Sequence, residues 1–105
     1  MGGMYRMQDL LELVAHEGAE ELRLEPGRPP VMVLHGKVRV VDGTLITGDI
    51  VAELFRSNAA DEQAQEFARC GEIHFIFMTE HSARFKIRAA MDGENLNLTV
   101  KNLSR

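Results

Sequence analysis

Residues 83–91 read ARFKIRAAM, and this stretch decides the fold. Apolar residues occupy alternate positions, while Arg84, Lys86 and Arg88 stand between them. Successive side chains of a β-strand point to opposite faces of a sheet. The alternation therefore predicts a strand with one buried face and one cationic face.

The neighbouring segments are also predicted to be strands. Asp92-Gly93 is a strong signal for a hairpin turn, and the segment beyond it again alternates apolar and polar residues. Upstream, residues 73–78 (IHFIFM) are apolar on both faces apart from His74. This pattern is typical of a strand covered on two sides, so we expect residues 73–78 to form an inner strand of the sheet. The apolar residues of the strand after the turn are Leu96, Leu98 and Val100.

Three shorter strands are predicted in the first half of the chain. Residues 21–25 alternate leucine with charged residues, and the prolines within residues 26–30 then prevent regular pairing. Residues 31–34 form a continuous apolar run, and residues 37–41 alternate again, so these two segments are expected to pair as a hairpin. The predicted turns are Pro26–Pro30, His35-Gly36 and Asp42-Gly43.

Three helices are predicted from apolar residues spaced three and four positions apart. The first begins at Met7 and ends before Gly18. Thr47 caps the second, Asn58 caps the third, and the third ends before Gly71, so that these two helices form a hairpin. The element order is therefore α-β-β-β-α-α-β-β-β, a PAS-like α+β fold with helices packed on an antiparallel sheet. The predicted inward residues of the helices are Met7, Leu10, Leu11, Val14, Ile50, Val51, Leu54, Phe55, Ala60, Ala64, Phe67 and Ala68.

Length and composition indicate a single domain. The chain has 105 residues, 45% hydrophobic and 27% charged, with a formal net charge of -4. A chain of this length can bury one core without disulfides or metals. We assign residues 1–6 to a flexible tail and residues 7–105 to the domain. The single cysteine excludes an internal disulfide, and neither a targeting segment nor a membrane-spanning run is evident, so we expect a cytoplasmic protein without direct membrane insertion.

The sequence lacks the residue spacings that mark the active sites and metal sites of common enzyme classes. Gly36-Lys37-Val38 lacks the upstream glycine and the hydroxyl of a phosphate-binding loop, and the four histidines lack the spacings of a zinc site. We interpret His74 as a structural histidine and His16 as the ion-pair partner of Glu12. Cys70 stands at the negative end of a predicted helix, where the pKa of a thiol rises, and is interpreted as a packing residue. We therefore expect no enzymatic activity, no catalytic residue and no bound metal.

Arg84, Lys86 and Arg88 are the candidate functional residues. Three cations on one face of a strand attract anions, and an arginine can hold a phosphate with two hydrogen bonds. The alternative is an ordinary solvated sheet face, with polar or acidic side chains on the neighbouring strands. The net charge of -4 and the lack of an exposed aromatic residue among the cations argue against nucleic acid as a partner, since Phe85 belongs to the predicted buried face.

Residues 18–36, GAEELRLEPGRPPVMVLHG, resemble the opening of the N-terminal, PAS-like domain of the type II/IV secretion and type IV pilus (PilT-like) ATPase family. That family typically has Ala-Ser-Asp-Leu-His-Leu, then a Gly-x-Pro-Pro turn and a strand ending in Asp-Gly. Residues 58–67, 71–77 and 83–85 resemble its third helix, its Glu-x-Asp-Phe-Ser-Phe segment and its Ala-Arg-Phe-Arg-Val strand. The similarity spans roughly residues 7–103. The matching residues of the first segment are Ala19, Leu22, Leu24, Gly27, Pro29, Pro30 and Gly36.

The chain also departs from the family pattern. The family's RecA-like motor domain, with its Walker motifs, has no counterpart in these residues. The substituted positions are Glu21 for the family's Asp, Arg23 for its His, Val33 for its Arg, His74 for its second Asp and Lys86 for the second Arg of the strand.

The resemblance implies a non-catalytic interaction module of bacterial twitching motility or secretion. In the family this domain packs on the motor domain of the neighbouring subunit and brings basic residues towards the bound nucleotide. The resemblance assigns this role to Arg84, Lys86 and Arg88, and it implies that ATP enters only through a partner motor domain. The alternative function is a PAS-like sensor that binds a small ligand or nucleotide with its basic strand. The unpaired edges of the sheet leave a homo-oligomer as a further option.

Overall fold

The structure, a computed structural model, describes residues 6–41, 43 and 45–104. Helices and strands follow one another in the order α-β-β-β-α-α-β-β-β, which confirms the predicted order and fold class. Residues 1–5 of the predicted tail, and Asp42 of the predicted turn, lie outside the described residues. The elements are α1 (Met7–Glu17), β1 (Glu21–Leu24), β2 (Val31–Leu34), β3 (Lys37–Val40), α2 (Gly48–Asn58), α3 (Asp61–Cys70), β4 (Glu72–Met78), β5 (Arg84–Asp92) and β6 (Asn95–Asn102).

The six strands form one antiparallel sheet in the order β3-β2-β1-β6-β5-β4. Two three-stranded meanders, β1 to β3 and β4 to β6, join where β1 pairs with β6, with Leu22 opposite Val100 and Leu24 opposite Leu98. Consecutive strands pair through short turns, which antiparallel geometry permits. The two central strands are therefore β1 and β6, and the two edges are β3 and β4.

The three helices cover one face of this sheet, and the core lies between the two layers. Leu22, Phe85 and Val100 from the sheet are fully buried there, as are Leu11 and Val14 from α1. Burial of each such side chain contributes roughly 1.5–3 kcal/mol relative to its exposure to water. The opposite face of the sheet is open to solvent.

Local sequence signals explain the ends of the elements. Gly18 follows α1 with a φ of 71°, a left-handed conformation that glycine adopts without strain. The Thr47 hydroxyl accepts a hydrogen bond from the Ile50 amide at 3.2 Å and caps α2 as predicted. His35 and Gly36 have φ of 54° and 77°, and two positive values in succession are those of the hairpin turn that suits the twist of paired strands.

The predicted cap of α3 is wrong. Asn58 is the last residue of α2, and its side-chain amide donates to the Leu54 carbonyl at 2.7 Å. α3 instead starts after Ala60, whose backbone amide donates to the Gln63 side chain at 2.7 Å. A glutamine at the third helical position can reach back to the residue before the helix. The cap therefore needs no polar side chain at residue 60.

The predicted inward face of α3 is only partly correct. Phe67 is half-buried and packs on Phe55 with ring centroids 5.0 Å apart, and Ala64 is also half-buried. Ala60 and Ala68, by contrast, are exposed. α3 contacts the sheet mainly at the edge strand β4, so only a narrow strip of the helix meets the core.

The prediction that residues 73–78 form an inner strand is also wrong. β4 lies at one edge of the sheet, and the helices cover only one of its faces. Ile73 and Phe75 point into the core, whereas Ile76 and Met78 on the open face are 51% and 57% exposed. Met91, predicted to point inward near the end of β5, is 43% exposed.

Candidate functional site

The open face of the sheet carries the cations that the sequence singled out. Phe85, Ile87 and Ala89 of β5 are buried under the helices, so the alternate residues between and before them point to the open side. We define the basic face as the exposed side chains of Arg84, Lys86, Arg88 and Lys101 on β5 and β6. The predicted outward orientation of the first three is confirmed.

The pairing of β5 with its neighbours fixes what surrounds each cation. Lys86 lies directly opposite Lys101 on β6, and Arg88 lies opposite Thr99. On the other side, Arg88 lies opposite His74 of β4. Lys101 is a site residue that the sequence did not single out, although the alternation of residues 95–101 puts it on the polar face with Thr99. The turn lies one residue later than predicted: the loop residues are Gly93 and Glu94, and Asp92 still pairs with Asn95.

Five side chains of these three strands line a shallow depression of about 170 Å³. Three of the five are cations from β5 and β6. Small-molecule sites typically measure about 300–1,000 Å³, so this depression has room for a phosphate or carboxylate group but not for a whole nucleotide. The lining residues are His74, Lys86, Arg88, Thr99 and Lys101.

Arg88 is held by a carboxylate at the rim of the depression. Its Nε donates to Glu72 Oε2 at 2.8 Å, and His74 Nε2 lies 3.2 Å from the same oxygen. The Arg88 hydrogen bond, followed by the His74 contact, lowers the pKa of Glu72, and the same carboxylate raises the pKa of Arg88. His74, interpreted from the sequence as a structural histidine, thus has Glu72 as a side-chain partner.

The other cations of the basic face are less constrained. In the described part of the chain, the ion pairs do not include the side chains of Arg84, Lys86 or Lys101. The Arg84 backbone amide donates a hydrogen bond to the Ser104 hydroxyl at 2.7 Å, a contact that does not involve its guanidinium. The alternative of a solvated face with polar or acidic neighbours is met at Arg88, which binds Glu72 and lies opposite Thr99. For the other three cations it stays a prediction beside that of an anion site.

Two interpretations of single residues need correction. Cys70 is exposed rather than packed; its thiol lies 3.1 Å from Glu66 Oε2, and this hydrogen bond raises the pKa of the thiol. The predicted ion pair of Glu12 with His16 is replaced by a contact of Glu12 with His81 at 2.6 Å. A raised thiol pKa means less thiolate, so Cys70 is not an activated nucleophile.

Other sites were sought in the described residues. Among them there is no group of three or more His, Cys, Asp or Glu side chains that could hold a metal ion. None of the helices in this described part is long and apolar enough to cross a bilayer. The basic face is therefore the surface on which a functional hypothesis rests.

The chain is similar to one part of the length of several ATPases, two of them from pili. It is 23% identical over 96 residues to the type IV pilus ATPase PilU of Pseudomonas aeruginosa, a match that covers 91% of this chain and 25% of PilU. No protein-family model matches the chain.

Solved structures of such ATPases share the fold. A crystal structure of the pilus retraction motor PilT with bound ADP matches with a TM-score of 0.86 at 18% identity, over 94% of this chain and 29% of that one. The ATPase DotB of Legionella pneumophila matches with a TM-score of 0.76 at 14% identity, over 96% of this chain and 30% of that one. The resemblance to this family and the PAS-like fold are thereby confirmed. The chain spans a quarter of the length of PilU and less than a third of either motor.

Proposed function

We propose that this domain is a non-catalytic docking module of a pilus or secretion motor, and that its basic face binds an acidic or phosphate-bearing surface of a RecA-like motor domain. The observation that carries the proposal is a cationic face on a protein whose net charge is -4. Among the described residues, three of its four side chains form no ion pair. Such a local field attracts anionic surfaces although the whole molecule repels them.

The similarity to motor ATPases supports this choice of partner. The matched part is 25% of PilU and 29% of PilT, which leaves most of each motor outside the region that corresponds to this chain. A domain of this kind acts through contact with the remainder of a motor, on the same chain or on another one. ATP then belongs to the motor domain and not to this one. We place the role in the cytoplasm, where a lone exposed thiol such as Cys70 stays reduced.

The test is a binding measurement with a matched pair of variants. The tagged chain is used to recover partners from a lysate of its source cells, with Arg84→Glu/Arg88→Glu as the test variant. Lys37→Glu/Arg39→Glu reverses the charge of two exposed side chains on the edge strand β3, outside the basic face, and serves as the control. Recovery of a secretion or pilus ATPase by the wild type and the control, but not by the test variant, supports the proposal.

Two results contradict the docking role. One is recovery of the motor at equal yield by both variants, since the basic face is then irrelevant. The other is hydrolysis of ATP by the purified chain, since a docking module has no activity of its own. Binding should also weaken as salt rises, because exposed charges are screened beyond about 8–10 Å at physiological ionic strength.

A second candidate function is a sensor of a small phosphorylated ligand. The depression bordered by Lys86, Arg88 and Lys101 is the observation that favours it. Calorimetric titration with pyrophosphate and with ADP tests this function, and Arg84→Ala/Arg88→Ala should weaken the binding. The depression holds one anionic group only, so a much tighter affinity for ADP than for pyrophosphate would argue against this site.

A further inference from the structure

Strand β4 is more apolar than its position at an edge of the sheet in a single copy of the domain explains. Its apolar residues occupy both faces, which is the pattern of a strand buried on two sides. In the structure it is an edge strand, and Ile76 and Met78 remain 51% and 57% exposed on the open face. Natural proteins protect an edge of this kind because it is a template for pairing with another chain.

The outer backbone groups of β4 are free to pair. The Thr79 amide donates to the Ala83 carbonyl at 2.9 Å, so odd-numbered residues at this end of β4 direct their backbone groups towards β5. The pairing of β4 with β5 is continuous from Glu72 to Met78. Because these groups alternate along an antiparallel strand, even-numbered residues direct theirs outward. No strand of the described residues lies there.

The two edges of the sheet differ in the features that prevent pairing. β3 has four residues, KVRV, of which Lys37 and Arg39 are cations. β4 has seven residues, EIHFIFM, without lysine, arginine or proline. Its one carboxylate, Glu72, is already neutralised by Arg88 on the neighbouring strand. Charged residues, short length and proline are the usual protections of an edge, and β4 has only the first of them, in a neutralised form.

We propose that β4 pairs antiparallel with β4 of a second copy of this chain, in a two-fold dimer centred on Phe75. In this register Glu72 lies opposite Met78 of the second copy, and His74 lies opposite Ile76. Arg84 adjoins Met78 on its own sheet, so Arg84 of one copy is one strand away from Glu72 of the other, as a second cation near a carboxylate that already binds Arg88. A register centred on Ile76 instead places Glu72 opposite Glu80, and like charges opposite each other are unfavourable.

The dimer removes the unprotected edge of β4. Ile76 and Met78 of each copy gain His74 and Glu72 of the other as cross-strand neighbours, and the two sheets form one continuous sheet of twelve strands. The inference does not depend on motor docking, since the cations of β5 stay on the open face of both copies.

Analytical ultracentrifugation of the full chain over a range of concentrations tests the dimer. The wild type should sediment with twice the mass of one chain, and Ile76→Lys, which places a cation on the edge, should sediment with the mass of one. Val40→Lys is the matched control, because Val40 is 54% exposed at the opposite edge. It should leave the dimer intact. Amide exchange at residues 74 and 76 should be slow in the wild type and at least about tenfold faster in Ile76→Lys, since only strand pairing covers these amides.

Three results overturn the proposal. They are a wild type that stays monomeric up to millimolar concentration, a dimer that persists in Ile76→Lys, and equal loss of the dimer in Val40→Lys. Circular dichroism establishes that each variant is folded. If Ile76→Lys does not fold, Met78→Lys replaces it, with the same expected loss of the dimer.

Discussion

Lys86 and Lys101 lie directly opposite each other on strands β5 and β6. Like charges at opposite positions of an antiparallel pair are destabilising. On its other side Lys101 lies opposite Glu21, but that carboxylate is bound to Arg23 at 2.6 Å. The sheet thus holds two cations together without a dedicated counter-ion in the described residues. An anionic partner on the basic face, as proposed above, would relieve this repulsion.

Replacement of one of these lysines by an acid should stabilise the isolated domain and weaken its docking. In Lys86→Glu, Lys101 gains a carboxylate on β5, and the free energy of unfolding should rise by about 0.2–1 kcal/mol. Urea unfolding at low salt measures this rise, which should shrink at high salt. Lys37→Glu, at an edge position opposite Leu34, is the control and should change little. A fall in stability for Lys86→Glu contradicts the repulsion between the two lysines.

Truncation of a buried side chain of β5 should destabilise the domain strongly, unlike a substitution on the open face of the same strand. Phe85 is fully buried, and Phe85→Ala should lower the free energy of unfolding by about 3–5 kcal/mol through lost burial and the cavity left behind. Lys86→Ala, one residue away on the open face, should stay within about 0.5 kcal/mol of the wild type. Chemical denaturation measures both. Equal losses in the two variants are incompatible with the observed orientation of β5.

The parts of the fold that the sequence predicts are those set by local geometry. Phe85 and Arg84 are assigned to opposite faces because a strand has a two-residue period, whichever strands lie beside it. Gly18 ends α1 because a left-handed residue is needed there. The sequence predicts the wrong cap for α3, Asn58. The Gln63 side chain accepts a hydrogen bond from the Ala60 amide, and a side chain at the third helical position can thus replace a polar capping residue.

The parts that the sequence does not predict depend on which strands become neighbours. The apolar outer face of β4, at Ile76 and Met78, predicts two-sided burial, but one copy of the domain supplies cover on one side only. Lys101 lies opposite Lys86 because of the register of the hairpin, and a turn one residue later changes every cross-strand pair. Sequence periodicity assigns a face to each residue but does not identify its cross-strand neighbour.

The cap of α2 offers a local test of helix stability. The Thr47 hydroxyl satisfies the Ile50 amide, which has no partner within the first turn of the helix. Thr47→Ala should therefore cost about 1 kcal/mol of unfolding free energy, whereas Thr47→Ser, which retains the hydroxyl, should cost much less. Thermal and urea unfolding of the two variants give the comparison. Equal stability of the alanine and serine variants means that the hydroxyl contributes nothing to the helix.

His81 links the turn between β4 and β5 to α1. Its Nδ1 lies 2.6 Å from Glu12 Oε2, and the side-chain amide of Gln8 donates to the same oxygen at 2.7 Å. The hydrogen bond to Glu12 is the main cause that raises the pKa of His81, and the nearby charge of Glu80 adds to it. The contact joins two segments 69 positions apart in the sequence.

The contribution of His81 to stability should depend on pH. A histidine whose pKa is raised on folding stabilises the folded state fully below its ordinary pKa of about 6.5, and this stabilisation disappears as pH rises through the raised value. Urea midpoints of the wild type and His81→Gln should therefore differ most near pH 5.5 and converge near pH 8.5. His16→Gln, an exposed histidine of α1, controls for the substitution itself and should show no such convergence. A gap that widens towards high pH would mean that Glu12 does not hold the protonated ring.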